Sequence, residues 1–522
     1  MISSRHFLPV ALGLFSLPIA VFAQETTATE AAKPETVSVH ALIVKALNTN
    51  LELRAKRIDP EIQGYRVDGA WGAFDPVLSL GGVYEKSSKP QNYRDFLSNG
   101  SIIVDPKARI FEEENIRLQG GISGRLPTGT QLELANTVSR LENTSNRRPV
   151  SLLAGGPLYS PEYQAGTTLT ITQPLLKDFG PGANLAEVRL AKSTRLVSEN
   201  ELRGTVEKVI AQVVNACFEI NFAQENILVK QQAIDLAGNL VRENQRRVDE
   251  GRMSPIEVSQ SQSRLAEARE ELILARNFLA QRQNTLSELT REEFVFDAPA
   301  YIIDTTQATL PEPSLNRETL VHTALENNPA YLAAIETAKG EDIRIVYAKN
   351  QRLPRVDLRG TLGYTGIEDG WTKSFYDYGN RDTPDWSAGV IISVPLTGKV
   401  GKARVNESIA RKRQAVLNIK RTEVELYSAI DTALRDISSA RERAALVKDS
   451  VRFATDSYNA EEKRLVSGLT TSYNVATQMR DFSQTRTRAL AADVDLQKAI
   501  TQLYLVQGVL SSQLKIDISV AP

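Results

Sequence analysis

The amino-acid sequence predicts a mainly α-helical chain with a smaller β component, built from two copies of one structural unit. Three observations lead to this prediction. Apolar residues recur at alternating steps of three and four over 206–289, which is the heptad pattern of packed helices. The same pattern returns in the second half of the chain. Segments with a period of two, typical of half-buried strands, precede both heptad regions.

The N-terminus has the pattern of an export signal. Arg5 precedes an apolar run over 7–20, and the residues that end at Ala23 fit the small-x-small rule for cleavage. We expect a signal peptide over 1–23 and a mature chain that begins near Gln24. As an uncleaved anchor, the run would be too short to cross a bilayer of roughly 30 Å as a helix.

The mature chain divides into two units and three connecting segments. The units are predicted over 37–293 and 317–509. The segment 24–36 is rich in Thr, Glu and Ala without an apolar period, and we expect it to be disordered. Three prolines mark 294–316 as an extended linker, and 510–522 is a C-terminal tail.

Each unit opens with a pair of short helices that meet at an asparagine, and a proline ends the second helix. In the first unit these residues are Asn50 and Pro76, and in the second they are Asn328 and Pro354. The separation is constant, since 328 minus 50 and 354 minus 76 both give 278. Duplication explains this agreement better than chance.

Strands follow each of these prolines and return before each heptad region. They are predicted at about 77–85 and 167–174 in the first unit and at about 356–365 and 386–395 in the second. Their length is close to that of strands that cross a bilayer when tilted. A water-soluble sandwich sheet would show the same alternation, so this reading stays open.

The first unit contains an additional hairpin over 116–140, around a Pro-Thr-Gly-Thr turn. Its flanks, 86–115 and 141–163, are rich in Ser, Asn, Pro and Gly and are predicted to be loops. The hairpin either enlarges the sheet or forms a cap outside it, and the sequence leaves both possibilities open.

Each returning strand passes into a long helix through a proline-to-glycine junction. The junctions run from Pro174 to Gly180 and from Pro395 to Gly401. Proline lacks the amide hydrogen that a strand ladder needs, so it can end the strand where the chain swings into a helix.

Two helical hairpins follow the junctions, over 183–291 and 402–509. The first turns at Gly251 and the second at Gly468, and 468 minus 251 gives 217, the offset that also relates the two heptad seams. The charged residues that interrupt the first seam are Lys230 and Arg282.

The composition points away from several classes of function. The net charge of -1 gives no reason to expect nucleic acid as a partner. The single cysteine, Cys217, lies beside the seam and is predicted to be a packed side chain. The three histidines have no metal-ligand spacing, and no catalytic triad or phosphate-binding loop is present. We therefore predict no metal, no cofactor and no catalytic residues.

An exported chain with four strong strands has a sealing problem in a membrane. Four strands cannot close on themselves, and each unpaired backbone group at a sheet edge in lipid costs several kcal/mol. Association with further copies solves the problem. Three copies would supply twelve strands and twelve long helices.

The order and duplication of these features resemble the TolC-like outer-membrane efflux proteins. The resemblance rests on the Asn50 and Asn328 turns, the prolines before the strands, the proline-to-glycine junctions and the glycine turns between heptad arms. It covers about 37–507. It implies a homotrimeric outer-membrane β-barrel continuous with a long periplasmic α-helical coiled-coil barrel. It also implies an exit duct surrounded by outer-membrane lipid, joined through a periplasmic adaptor protein to an inner-membrane transporter that largely sets the cargo.

The resemblance further implies two functional sites near the hairpin turns. In the family these turns meet the adaptor, and the matching residues here are Gly251, Arg252, Met253, Gly468, Leu469 and Thr470. A plain helix C-cap without a partner is the competing interpretation.

The second implied site is the periplasmic gate. Family members carry acidic residues six and nine positions after the second glycine, where this chain has Asn474 and Thr477. Glu257, the first-unit equivalent of Asn474, could supply a ring of three carboxylates that favours cations. An ordinary solvated helix residue is the equal alternative.

Two other interpretations of the whole chain stay open. A secreted periplasmic coiled-coil protein would span space without conducting ions. A constitutive porin would conduct at large amplitude without any partner.

Overall fold

The computed structural model describes residues 35–92, 110–144, 160–293, 296, 301–304, 310–380 and 384–516. Most of these residues lie in helices, and the strands form one large and one small sheet. The predicted signal peptide over 1–23 lies outside the described residues, as does 24–34 of the segment predicted to be disordered. The chain is mainly α with β, which confirms the predicted fold class.

The helices include four long ones that form two antiparallel hairpins. In chain order the described helices are α1 (Val39–Thr49), α2 (Leu51–Trp71), α3 (Pro181–Asn184), α4 (Ala186–Asp249), α5 (Pro255–Thr290), α6 (Arg317–Asn327), α7 (Pro329–Gln351), α8 (Trp371–Asn380), α9 (Lys399–Val466), α10 (Ser472–Gln507) and α11 (Leu510–Gln513). With 64 and 68 residues, α4 and α9 each extend about 100 Å at about 1.5 Å per residue. Among the described helices, none is long and apolar enough to span a bilayer.

The strands comprise the four predicted, the two of the additional hairpin and two short ones. They are β1 (Glu35–Ser38), β2 (Val77–Pro90), β3 (Ile110–Arg125), β4 (Gln131–Asn143), β5 (Glu162–Pro174), β6 (Tyr301–Asp304), β7 (Arg355–Glu368) and β8 (Pro384–Ser393). The large sheet has the order β2-β3-β4-β5-β7-β8 and is antiparallel throughout. The additional hairpin, β3 and β4, therefore joins the sheet and does not cap it.

The strands extend into segments that we predicted to be loops. β2 and β3 both run into 86–115, and β4 and β5 run into 141–163. The extension of the β2–β3 ladder pairs Lys86 with Glu114, whose charged groups lie 3.4 Å apart. Around Lys86 and Glu114 the ladder is polar on both faces, so it lacks the alternation that reveals a half-buried strand.

All three segments outside the two units contain regular structure that the pattern did not reveal. Glu35 and Thr36, in the segment predicted to be disordered over 24–36, belong to β1. The linker over 294–316 contributes β6, which pairs in parallel with β1. The tail over 510–522 begins with α11, where the Ser511 amide donates to the buried Glu207 carboxylate at 3.1 Å. Elements of four residues are too short to show a period. Residues 517–522 lie outside the described part of the chain.

The two asparagines at the helix pairs make the same contacts in both halves. Asn50 accepts from the Leu53 amide at 3.0 Å and donates to the Leu289 carbonyl at 3.3 Å. Asn328 accepts from the Tyr331 amide at 3.0 Å and donates to the Val506 carbonyl at 2.9 Å. Each asparagine caps one helix and fastens it to the end of a hairpin. Leu289 and Val506 differ by 217, the offset between the seams, which supports the predicted duplication.

The main core lies where the short helices α1 and α6 pack on the long ones. It joins apolar side chains that are almost fully buried, and these include Leu42, Ile43, Ile210, Val213, Ile220, Leu286, Ala324, Ile430, Ile437 and Leu503. Complete burial of a leucine or isoleucine side chain contributes about 1.5–3 kcal/mol. Cys217 is part of this core, and burial raises the pKa of its thiol to about 12.

The charged residues on the first seam are paired inside the helical bundle. Lys230 Nζ lies 2.9 Å from the Glu271 carboxylate. Arg282 Nη1 lies 2.8 Å from the Glu219 carboxylate, which also binds Lys498. Glu219 thus joins helices α4, α5 and α10, which belong to both hairpins.

Candidate functional site

One face of the large sheet is apolar across all six strands. A single register row crosses the sheet through Leu78, Ile122, Leu134, Leu169, Leu362 and Trp386. All six side chains are exposed in the single chain, and Trp386 reaches 72%. Water is a poor environment for a patch of this extent, so the face fits hydrocarbon.

The opposite face of the sheet is mostly polar. The neighbouring register row consists of Val77, Ser123, Glu133, Thr170, Thr361 and Ser387. The hydroxyl oxygens of Thr361 and Ser387 lie 2.6 Å apart across the β7–β8 pair. A sheet with one exposed apolar face and one polar face has the pattern of strands that separate lipid from water.

The sheet ends in two unpaired edges. Among the described strands, β2 pairs only with β3, and β8 pairs only with β7. The outer backbone groups of β2 and β8 therefore have no partner within the sheet, and they need one in a medium without water.

The first junction is fastened to the additional hairpin. Gly180 has a φ of +83°, and its amide donates to the Thr128 carbonyl in the β3–β4 turn at 2.9 Å. A Cβ on Gly129, in the same turn, would lie 2.2 Å from the Asp178 carbonyl oxygen. The close approach therefore requires glycine at this position. Pro174 is the last residue of β5, directly before this contact.

The second junction differs from the predicted one. Pro395 follows the end of β8, but α9 already begins at Lys399, and Gly401 lies inside the helix. Gly398, with a φ of +57°, takes the positive backbone angle that Gly180 takes in the first junction. Gly401 instead allows close packing, since a Cβ there would lie 3.2 Å from the Arg352 Cα. The sequence showed glycine at both positions without distinguishing these roles.

The two hairpin tips have the same backbone geometry. Gly251 and Gly468 have φ angles of +70° and +73°. In each tip the glycine amide and the next amide donate to carbonyls three and five residues earlier, which is the Schellman motif. The residues after the glycines protrude, with Arg252 77% and Leu469 70% exposed. Thr470 donates from its hydroxyl to Glu461 and is held closer to the helix.

The tips are also held against each other. The Arg247 guanidinium donates to the Leu465 carbonyl at 2.9 Å. The Ser472 hydroxyl donates to the Asn244 side-chain oxygen at 2.9 Å and lies 3.8 Å from the Met253 sulfur. Both contacts join α4 to the tip of the second hairpin. The sequence pattern does not reveal these contacts, because their residues come from different heptad regions.

The gate candidates lie next to these contacts. Glu257 is half-buried and lines a small cavity with Ser472 and Tyr473 from the second hairpin. Its Oε2 atom is inaccessible and has no hydrogen-bond partner among the described residues. Asn474 donates to the Thr470 hydroxyl at 3.1 Å, and Thr477 donates to the backbone carbonyl of Tyr473 at 2.9 Å. Glu257 is therefore the acidic member of the group. The described residues contain no metal-binding cluster of His, Cys, Asp and Glu.

Comparisons with known proteins agree with this geometry. The family model described as outer membrane efflux protein matches residues 131–290 and 320–509, which is more than half of the chain. The outer membrane protein TolC of Vibrio cholerae is 21% identical over 337 residues, covering 62% of this chain and 72% of that protein. The cobalt-zinc-cadmium resistance protein CzcC of Cupriavidus metallidurans is 23% identical over 329 residues, covering 63% of this chain and 74% of that protein.

Solved structures have the same fold. CusC superposes with a TM-score of 0.64 at 14% identity, covering 95% of this chain and 98% of that one. The Campylobacter jejuni CmeC outer membrane channel gives 0.62 at 15% identity, covering 97% of this chain and 99% of that one. The predicted outer-membrane location with a large periplasmic portion is confirmed, as is a role as a channel and not an enzyme. The sheet with one apolar face and the paired helical hairpins fit this match, and the chain belongs to the outer membrane efflux protein family.

Proposed function

We propose that three copies of this chain form the exit duct of a tripartite efflux or type I secretion system. The observation that carries the proposal is the six-stranded sheet with one apolar face and two unpaired edges. Pairing β2 of one copy with β8 of the next would satisfy both edges and turn every apolar face toward outer-membrane lipid. The polar faces would then line a water-filled lumen.

The additional hairpin widens this proposed barrel. Because the hairpin joins the sheet, each copy contributes six strands, so three copies would contribute eighteen rather than the twelve expected without it. Barrel diameter rises roughly linearly with strand number, so eighteen strands give a barrel about 1.5 times as wide as twelve. Barrels of about 16–18 strands enclose an aqueous channel. The exit in the outer membrane therefore accommodates bulky cargo.

The helices continue the duct into the periplasm. Helices α4, α5, α9 and α10 from three copies give twelve long helices, enough to form a second tube beneath the strands. The junctions at Gly180 and Gly398 carry the chain from one tube into the other. A tube of about 100 Å built from these helices reaches far from the membrane.

The hairpin tips are the proposed docking sites for the periplasmic adaptor, which connects the duct to an inner-membrane transporter. Three properties support this role: the Schellman turns, the protruding side chains of Arg252 and Leu469, and the position at the far end of both hairpins. The contacts from Arg247 to Leu465 and from Ser472 to Asn244 would hold this end closed until docking separates the hairpins.

Membrane extraction followed by planar-bilayer recording tests the proposal. The wild-type protein should require detergent and conduct weakly, because the tips are closed. The double variant Arg247→Ala and Ser472→Ala should conduct several-fold more, since both contacts between the hairpins are removed. A coiled-coil rod would give no channel, and a constitutive porin would conduct at large amplitude in both forms. Either of those results would contradict an exit duct that is closed at the tips.

A further inference from the structure

Helix α8 connects β7 to β8 at the end of the sheet opposite the junctions, and it folds back onto the apolar face. A Cβ on Gly366 would lie 2.4 Å from the Ser374 carbonyl oxygen and 2.6 Å from the Tyr378 amide nitrogen. Gly366 is on the apolar face, because it pairs with Ala165. Ala165 is separated from Leu169 and Ile171 by even steps along β5, so the three residues share one face. Ala165 is 1% exposed. The helix therefore covers this part of the face.

The helix is fixed in that position by both of its ends. The Trp371 ring packs edge-on against Tyr163 of β5, with ring centroids 4.7 Å apart. The Asp377 carboxylate accepts a hydrogen bond from the backbone amide of Ile367 at 3.1 Å. Ser374, between them, is fully buried. These contacts hold one side of α8 against the sheet, and the opposite side of the helix faces away from the sheet.

The level of α8 coincides with a change in the chemistry of the face. Across β4, Val138 pairs with Ala165, and the next residue on this face toward the far end is Arg140, which pairs with Tyr163. Beyond it lies Glu142, which forms an ion pair with Arg140. On the other side of this level, a mixed row through Leu80, Asn136, Thr167 and Tyr364 leads to the exposed apolar row from Leu78 to Trp386. The helix therefore lies between the charged end of the face and its apolar part.

The outward side of α8 carries aromatic side chains beside Lys373, which is 64% exposed and pairs with Asp369 at 2.7 Å. Tyr376 is 74% exposed and Phe375 is 43% exposed, whereas Ser374 is fully buried. Aromatic rings with a polar atom favour the zone between hydrocarbon and water, and an amphipathic helix can lie in that zone with its apolar side toward the acyl chains. Water alone gives no reason to expose two adjacent aromatic side chains at this boundary.

We propose that α8 is an interfacial anchor that inserts Phe375 and Tyr376 into the outer-leaflet lipid, between the headgroups and the acyl chains. The proposal rests on the proposed function, in which lipid covers the apolar face. Lipid is the occupant because the aromatic side of α8 is continuous with that face. A bound anchor would fix the height and tilt of the strands against the bilayer.

Brominated lipids test the depth of the helix. In a background with Trp71→Phe, Trp371→Phe and Trp386→Phe, the reporter Tyr376→Trp is reconstituted into phosphatidylcholine vesicles brominated near the headgroup or near the chain end. We expect quenching by the headgroup-proximal bromines that is roughly two-fold stronger than by the deep ones, as for an interfacial helix. A protein that keeps only native Trp386 is the lipid-facing control. Tyr473→Trp, at a hairpin tip, is the water-facing control.

The controls separate the two ideas. If Trp386 is quenched but the Tyr376→Trp reporter responds only to aqueous iodide, the anchor is wrong and the lipid-facing sheet stands. If neither is quenched by lipid, the proposed function itself fails, and the anchor fails with it. Equal quenching of the reporter by shallow and deep bromines would also overturn the anchor, because it would place α8 in the hydrocarbon.

Discussion

Glu219 is the residue on which the two hairpins converge. Its carboxylate binds Arg282 of α5 and Lys498 of α10. Burial alone would raise the pKa of this carboxyl, but the hydrogen bonds and charges of Lys498 and Arg282 outweigh burial, so the pKa lies below its ordinary value. A depressed pKa means that the ionised carboxylate stabilises the fold above the ordinary pKa of glutamate. This stabilisation is lost as the pH falls through the folded-state pKa.

Replacement of Glu219 should therefore have a pH-dependent cost. Glu219→Gln should lower the free energy of unfolding by about 2 kcal/mol at neutral pH, because Arg282 and Lys498 lose their charged partner. The difference from the wild type should shrink below about pH 4, where glutamate becomes protonated. Thermal unfolding of the detergent-extracted protein across this range measures the effect.

Glu271→Gln is the matched control for that experiment. It removes the partner of Lys230 within the same bundle, but Glu271 is 43% exposed and binds a single cation. Its effect should be smaller, since solvent weakens the pair. A Glu219→Gln cost that is the same at every pH would show that the carboxylate charge is not what joins the helices.

At this scale the sequence could identify the charged interruptions of the seam but not their partners. Lys230 and Arg282 stood out because every neighbouring seam position is apolar or small. No feature of the sequence pattern marks their partners, which are Glu271, Glu219 and Lys498. The pairing depends on how three helices lie side by side. The burial of Cys217 could be predicted from its place beside the seam, because a buried thiol does not depend on a particular partner residue.

At the scale of single elements, the hairpin turns give the sharpest prediction. Gly468→Val places a β-branched residue at a φ of +73°, which costs about 1–2 kcal/mol or more and distorts the tip. Export in an efflux assay should be abolished, while trimers should still reach the outer membrane. Gly64→Val is the matched control, because Gly64 lies in α2 with open space around its Cα and an ordinary φ. Wild-type export by Gly468→Val would remove the tip from the docking site.

Glu257 gives a second prediction at the tip. Three copies would bring three Glu257 carboxylates to the closed end of the duct, where their charge should favour cations. Glu257→Gln should reduce the preference for K⁺ over Cl⁻, measured as a smaller reversal potential in a salt gradient across a planar bilayer. Glu267→Gln is the control, because Arg264 already neutralises Glu267 at 2.7 Å. An unchanged reversal potential in Glu257→Gln would exclude this residue from the gate.

Periodicity located the elements best where one side of an element is buried. The heptad seams therefore led to both hairpins, and Asn50 and Asn328 marked the paired short helices. The strand extensions beside Lys86 and Glu114 were missed because polar side chains cover both faces there. The role of Gly398 was missed for another reason: two glycines lie three residues apart, and only the backbone angle distinguishes them.

At the scale of the whole molecule, the additional hairpin changes the size of the proposed assembly. The sequence showed the hairpin over 116–140 but not its place, because order within a sheet depends on pairing between strands that are distant in sequence. With β3 and β4 between β2 and β5, three copies supply eighteen strands. The predicted twelve helices remain unchanged. In the proposed trimer, the hairpin would therefore enlarge the strand tube without altering the helical tube.

The apolar face could be anticipated from alternation, but its continuity could not. Each strand alone shows a few apolar positions, and the register aligns them into rows such as that from Leu78 to Trp386. This alignment turns six weak signals into one continuous apolar row. It also leaves β2 and β8 as complementary edges, which is why the account requires more than one copy.

Single-particle electron cryo-microscopy of the detergent-extracted protein tests this requirement most directly. We expect a three-fold ring of eighteen strands, in which β2 of each copy pairs with β8 of the next and Trp386 faces the detergent belt. A water-soluble monomer, or an assembly that buries the row from Leu78 to Trp386 between copies, would contradict the account.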